Sequence, residues 1–147
     1  MAISFSPAME AMQYQISCDC GAAVAKQVFP SFEVAYKVFT SPIPFEKPVC
    51  TDGYCVEYGP LPLRVRAVNE DELTVNMNGG NAGRVMSLLD IVNDGQPGTV
   101  DGRWFLTRIR EAQARLRVVG GYEQDALARL EAVASFAAGR NAQVVWG

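Results

Sequence analysis

Leu63-Arg64-Val65-Arg66-Ala67-Val68 and, beyond Asn69-Glu70-Asp71-Glu72, Leu73-Thr74-Val75-Asn76-Met77 both alternate apolar and polar residues. A period of two sends successive side chains to opposite faces of a strand. Two such runs around a polar break predict a β-hairpin, with Leu63, Val65 and Ala67 on one face and Arg64 and Arg66 turned to solvent or a ligand. Downstream the period becomes helical. Val85-Met86-Ser87-Leu88-Leu89-Asp90-Ile91-Val92 is an apolar helical run, and Asn93 to Gly98 reads as a loop. Asp101 caps a helix to about Val118, with Phe105, Ile109, Ala112 and Leu116 at core spacing. After Gly120-Gly121 a second helix runs from Tyr122 to about Ala138, its inward Leu127, Leu130, Ala134 and Ala137 suited to close antiparallel packing. Gln143-Val144-Val145-Trp146 closes as a short strand. The expected class is α+β: a small antiparallel sheet, a zinc-knuckle-like N-terminal part and a C-terminal antiparallel helix pair.

Upstream of the alternating runs lie all four cysteines, in a chain that has no histidine. Gln13-Tyr14-Gln15-Ile16-Ser17 reads as a strand that leads into Cys18 and Cys20, and Gly21 follows at once, as in metal knuckles whose tight turn aims backbone amides at thiolate sulfur. Ser31 caps a short helix to Phe39 with Phe32, Ala35, Tyr36 and Phe39 on one stripe, after which Pro42, Pro44 and Pro48 stiffen the approach to Cys50 and Cys55. Thiolates are soft ligands, and two short-spaced pairs separated by a long loop are a common way to surround a zinc ion. Cys18, Cys20, Cys50 and Cys55 are therefore the candidate ligands of a structural zinc. A Cys50–Cys55 disulfide and four small buried thiols without metal remain open beside it.

At 147 residues and 49% hydrophobic composition the chain is expected to be a single domain, 1–147, with a cysteine-bearing subregion over 1–60 and the hairpin and helices over 61–147. No run of apolar residues is long enough to cross a membrane, the opening residues lack a secretory pattern, and the expected compartment is the cytoplasm. The net charge is −3, and all the arginines lie between Arg64 and Arg140. Carboxylates balance them over residues 61–147, so no nucleic-acid partner is expected. Arg103, Arg108, Arg110, Arg115 and Arg117 make the first C-terminal helix the most basic surface.

Asn78-Gly79-Gly80-Asn81-Ala82-Gly83-Arg84 joins the last alternating run to a helix. A glycine-rich entry leaves amides at the positive end of a helix dipole, which suits an anion. Asn78, Asn81 and Arg84, with Arg64, Arg66 and Arg103, are the candidate ligand residues, although neither a phosphate-loop nor a dinucleotide motif is present. Asn81 is also read as a plain N-cap.

Asn78, the helix-opening Asn81-Ala82, the arginine-rich helix and the closing Trp146-Gly147 together resemble a family of small uncharacterised proteins from bacteriophages and their bacterial hosts. The resemblance covers about residues 62–147, and Gly79 and Gly80 lengthen the interval between the asparagines relative to the family pattern. It implies a phage or mobile-element origin, hence the host cytoplasm. It implies no activity and no site residues.

The absent histidine removes triads, Cys-His dyads and histidine general bases. Pro48 to Cys55 has the wrong spacing for a zinc deaminase, and a four-thiolate shell leaves no position for water. The expectation is a non-enzymatic accessory protein that binds and modulates a host protein, such as a defence effector or the transcription machinery. The alternative is capture of a small anionic ligand such as a nucleotide signal. No membrane partner is expected, and a homo-oligomer is left open.

Overall fold

A computed structural model describes residues 2–18, 20–42, 44–45, 47–50, 63–116 and 121–147. The class is α+β, with antiparallel sheets and helices in two compact units, Met12–Glu70 and the combination of Met1–Ala11 with Asp71–Gly147. Cys55 and Arg117 lie outside the described residues.

The larger unit is a four-stranded antiparallel sheet covered by three helices. Its strands are β1 (Ala2–Pro7), β4 (Val75–Asn78), β5 (Gly98–Asp101) and β6 (Gln143–Trp146), in the order β4-β1-β6-β5. Phe5 faces Val75 on one side and Trp146 on the other, and Val100 faces Val144. These inward positions meet α3 (Gly79–Leu88), α4 (Gly102–Arg115) and α5 (Tyr122–Gly139) in a single core. Phe5 stacks on Phe105 at 6.3 Å, and Met86, Leu89, Ile109, Leu127, Leu130 and Val133 are fully buried around them. Burial of this apolar surface is the main favourable term in folding.

Asp101 caps α4 by accepting the Trp104 amide at 3.1 Å, as its place before the apolar stripe suggests. The start of α4 meets the end of α5, where Gly102 lies against Ala137 and Ala138, and farther along Gln113 donates to Glu131 at 2.9 Å. The two helices therefore run antiparallel. Small residues on α5 permit the close approach.

The smaller unit holds β2 (Tyr14–Cys18), α1 (Phe32–Thr40) and β3 (Leu63–Ala67). β2 is paired on both edges. On one side it runs antiparallel to β3 with Ile16 opposite Val65 and Cys18 opposite Leu63. On the other, Tyr14 and Phe29 exchange backbone hydrogen bonds at 2.9 and 2.8 Å, and Ala25 N–H donates to Ile16 at 2.8 Å. Ser31 caps α1 through the Val34 amide, and Ala35 is fully buried, while Phe32 stacks on Tyr36 and Tyr36 meets Phe39 at a tilt.

Three expectations are corrected. The alternating runs at Leu63 and Leu73 both form strands, but they are not a hairpin: β3 pairs with β2 and β4 with β1. Between them Asn69 takes a positive φ of 58° and α2 (Glu70–Leu73) adds a helical turn, so the connection is not the tight turn that sets adjacent strands in register. The N-cap of α3 is Asn78, not Asn81. The Asn78 side chain accepts the Asn81 amide at 2.8 Å from an extended backbone, so Gly79 and Gly80 are already helical and no glycine loop precedes the helix. α4 ends at Arg115, where Leu116 turns extended, short of Val118.

Candidate metal centre

Cys18 is the last residue of β2, and the chain reverses directly after it. The Gly21 amide donates to the Cys18 carbonyl at 3.0 Å, the Cys18 amide donates to Ala23 O at 3.0 Å, and the Ala23 amide donates to Cys18 Sγ at 3.3 Å. Gly21 has a φ of 77°, a region that costs a residue with a Cβ about 1–2 kcal/mol. This turn is the knuckle that the Cys-x-Cys-Gly order implies. It folds Cys20 back so that its sulfur lies 3.2 Å from Cys18 Sγ and 3.5 Å from Cys50 Sγ.

All three sulfurs fall within 4.8 Å of one another and together could hold a metal ion. A tetrahedral ion with metal–sulfur bonds of about 2.3 Å places its ligands about 3.8 Å apart, inside the span of these separations. Disulfides do not join the three, since the nearest sulfurs stand well beyond the ~2.05 Å of an S–S bond. Cys18 and Cys50 are buried, whereas Cys20 is exposed at the rim. Cys55, the fourth expected ligand, lies outside the described residues.

The electrostatics favour thiolate. Burial pushes the Cys18 thiol up, but the Ala23 amide, the Cys20 and Cys50 thiols and the Gly21 amide outweigh it and bring the pKa from 9.0 to about 7. Arg66 packs beside the turn. A Cβ built on Gly21 would run into the Arg66 guanidinium, so the end of that side chain abuts the knuckle. Glu70 holds it there through an ion pair at 3.1 Å.

The candidate anion residues fall into two groups. Asn78, Asn81 and Arg84 share the first turns of α3, where Asn78 is consumed as a cap, and Arg84 donates to Asn81 and pairs with Glu123 at 3.4 Å. Arg103 is the second residue of α4 in the same unit. Arg64 and Arg66 belong to the cysteine-bearing unit, where Glu70 engages both. A cleft of about 690 Å³ does lie beside Arg84, lined by Gly80, Gly83, Ser87, Leu116 and Glu123.

Two participants were missed by reading the letters, namely the Ala23 amide and Arg66. The first has a signal in the Cys-x-Cys-Gly order, because a knuckle turn brings the following amides onto its first sulfur. The second has none, since its position depends on β3 pairing with β2. Among the described residues no helix is long and apolar enough to cross a membrane. Comparison with family models, with curated proteins and with solved structures finds no match to this chain.

Proposed function

We propose that the protein is a non-enzymatic binding protein of phage or mobile-element origin. It docks on a host protein, such as a defence effector or the transcription machinery, through its metal-stapled Met12–Glu70 unit. The observation that carries this reading is the apolar surface that α1 leaves open. Tyr36 is 50% exposed and stacks at 5.8 Å on Phe32, itself 38% exposed on the same face, while Val34, on another side of the helix, is 41% exposed and Val28 just before it 44%. Partly exposed aromatics ordered by their neighbours present apolar area at little entropic cost, as protein-binding surfaces do. In this reading zinc is the metal, bound by Cys18, Cys20, Cys50 and Cys55 as scaffolding, because an all-thiolate shell suits that ion and leaves no position for a reacting water.

The test is affinity capture from host extract with wild-type protein and a Val34→Ser/Tyr36→Ser double variant. A stoichiometric complex with the wild type that the variant loses, while retaining its circular dichroism, supports the reading. Equal capture by both sinks it.

The cleft beside Arg84 favours a second reading, capture of a small anionic ligand. The obstacle is that Asn81 and Glu123 already occupy the guanidinium. An ultraviolet-absorbing ligand that co-purifies with the wild type and is absent from Arg84→Ala would support it.

A further inference from the structure

We propose that Cys20 is a modification site: the thiol through which a peroxide reaches the cysteine cluster, in a reaction that ends in a Cys20–Cys50 disulfide and expels the metal. The metal part rests on the zinc reading given above. The site is carried by two independent observations, accessibility and spacing. Among the described cysteines Cys20 is the exposed one, while Cys18 and Cys50 are buried. Oxidant susceptibility of a cysteine follows its exposure and its thiolate character, and a metal-bound sulfur is held as thiolate. A redox-sensitive cysteine also needs a second thiol close enough to resolve its first oxidation product. Cys20 has one at 3.2 Å and another at 3.5 Å.

The chemistry balances. The Cys20 thiolate attacks one oxygen of hydrogen peroxide, the O–O bond breaks, and Cys20 becomes a sulfenic acid as hydroxide leaves and takes a proton from solvent to give one water. The Cys50 thiolate then attacks the Cys20 sulfur, the S–O bond breaks, and the hydroxide that departs is protonated by solvent to a second water. Two cysteine thiolates lose two electrons and hydrogen peroxide gains them. A disulfide sulfur is a poor metal ligand compared with thiolate, so removing two thiolates leaves too few to hold the ion.

Cys50 is favoured over Cys18 as the resolving thiol on geometry. Cys18 is fixed in β2 opposite Leu63, and its sulfur accepts the Ala23 amide, so drawing it onto Cys20 would break the knuckle. Cys50 sits just beyond Pro48 in chain that belongs to neither strand nor helix. Closing 3.5 Å to the ~2.05 Å of a disulfide therefore leaves the β2–β3 ladder and the knuckle intact.

The experiment uses the intact protein purified under reducing conditions with its own metal. Zinc content is measured first, and then again after hydrogen peroxide, alongside tandem mass spectrometry of the cross-linked peptides. The expected result is loss of the bound zinc together with two thiols, recovery of Cys20 joined to Cys50, and reversal by dithiothreitol plus zinc. A second measurement needs no variant: brief iodoacetamide labelling of the native protein should modify Cys20 roughly tenfold ahead of Cys18 and Cys50. Purified protein that contains no zinc would defeat the metal reading, while the cross-link would still decide the modification site. Zinc that is present but retained under peroxide, a Cys18–Cys20 bond, or labelling that begins at a buried cysteine would overturn the inference itself.

Discussion

Gly102 shows how much a single missing methyl can matter. It is the first residue of α4, its amide donates to Ala142 O at 3.0 Å, and a Cβ placed on it would stand 2.7 Å from that carbonyl and 2.8 Å from Ala137 Cβ. Neither neighbour is the end of a flexible side chain. Gly102→Ala should therefore destabilise the protein by about 1–3 kcal/mol from overpacking, against the ~1 kcal/mol gain expected when alanine replaces glycine in a helix. Urea unfolding checks the sign, and a stabilised variant would mean that the α4–α5 approach is looser than described. The asparagines of α3 offer a paired measurement. Asn78→Ala removes the oxygen that accepts the Asn81 amide and should cost about 1 kcal/mol, whereas Asn81→Ala removes only an exposed contact with Arg84 and should fall within about 0.5 kcal/mol of wild type. The reverse order would restore Asn81 as the cap.

At the scale of elements, the contrast between helices and strands sets both the energetics and what the letters could disclose. α5 places Leu130, Val133, Ala134 and Ala137 fully inside the core, so Leu130→Ala should cost about 2–5 kcal/mol through lost burial and the cavity left behind. Arg110→Ala on the facing surface breaks only an exposed ion pair with Glu131 and should cost less than about 1 kcal/mol; thermal unfolding of the two variants separates them. Helices such as α1, α4 and α5 were legible because their determinants are local: a Ser31 or Asp101 cap, then a stripe at helical spacing. Strand partners were not, since an alternating run states which face is apolar and leaves open which edge it seeks. Ile3 and Phe5 alternate with Ser4 and Ser6, a β1 signal that went unread, whereas β5 has Val100 as its one strongly apolar residue and offered almost none. The candidate site divides in the same way. The thiol pairs announce themselves by spacing, while Arg66 reaches the knuckle only through a pairing made across the sequence.

For the whole molecule, the unequal means by which the two units hold themselves together lead to a prediction about metal removal. The unit built from Met1–Ala11 and Asp71–Gly147 has a four-stranded sheet, three helices and one continuous apolar core. Among its described residues the Met12–Glu70 unit has a two-stranded ladder, extended by bridges at Tyr14–Phe29 and Ser17–Val24, and one nine-residue helix, and a ladder this small is marginal in water. Small units of this kind ordinarily depend on a cross-link or a metal, and binding free energy at such a site becomes folding free energy. Melting the insert does not cut the larger unit's chain; it replaces a folded connection by a flexible loop whose closure cost grows only with the logarithm of its length. Treatment with a strong chelator under reducing conditions should therefore raise hydrogen exchange across β2, β3 and α1, while β1, β4, β6, α4 and α5 keep their protection and most of the helical circular dichroism persists. Protection lost equally in both units would mean that they fold as one cooperative body, and protection unchanged in either would mean that the thiol cluster carries no share of the stability.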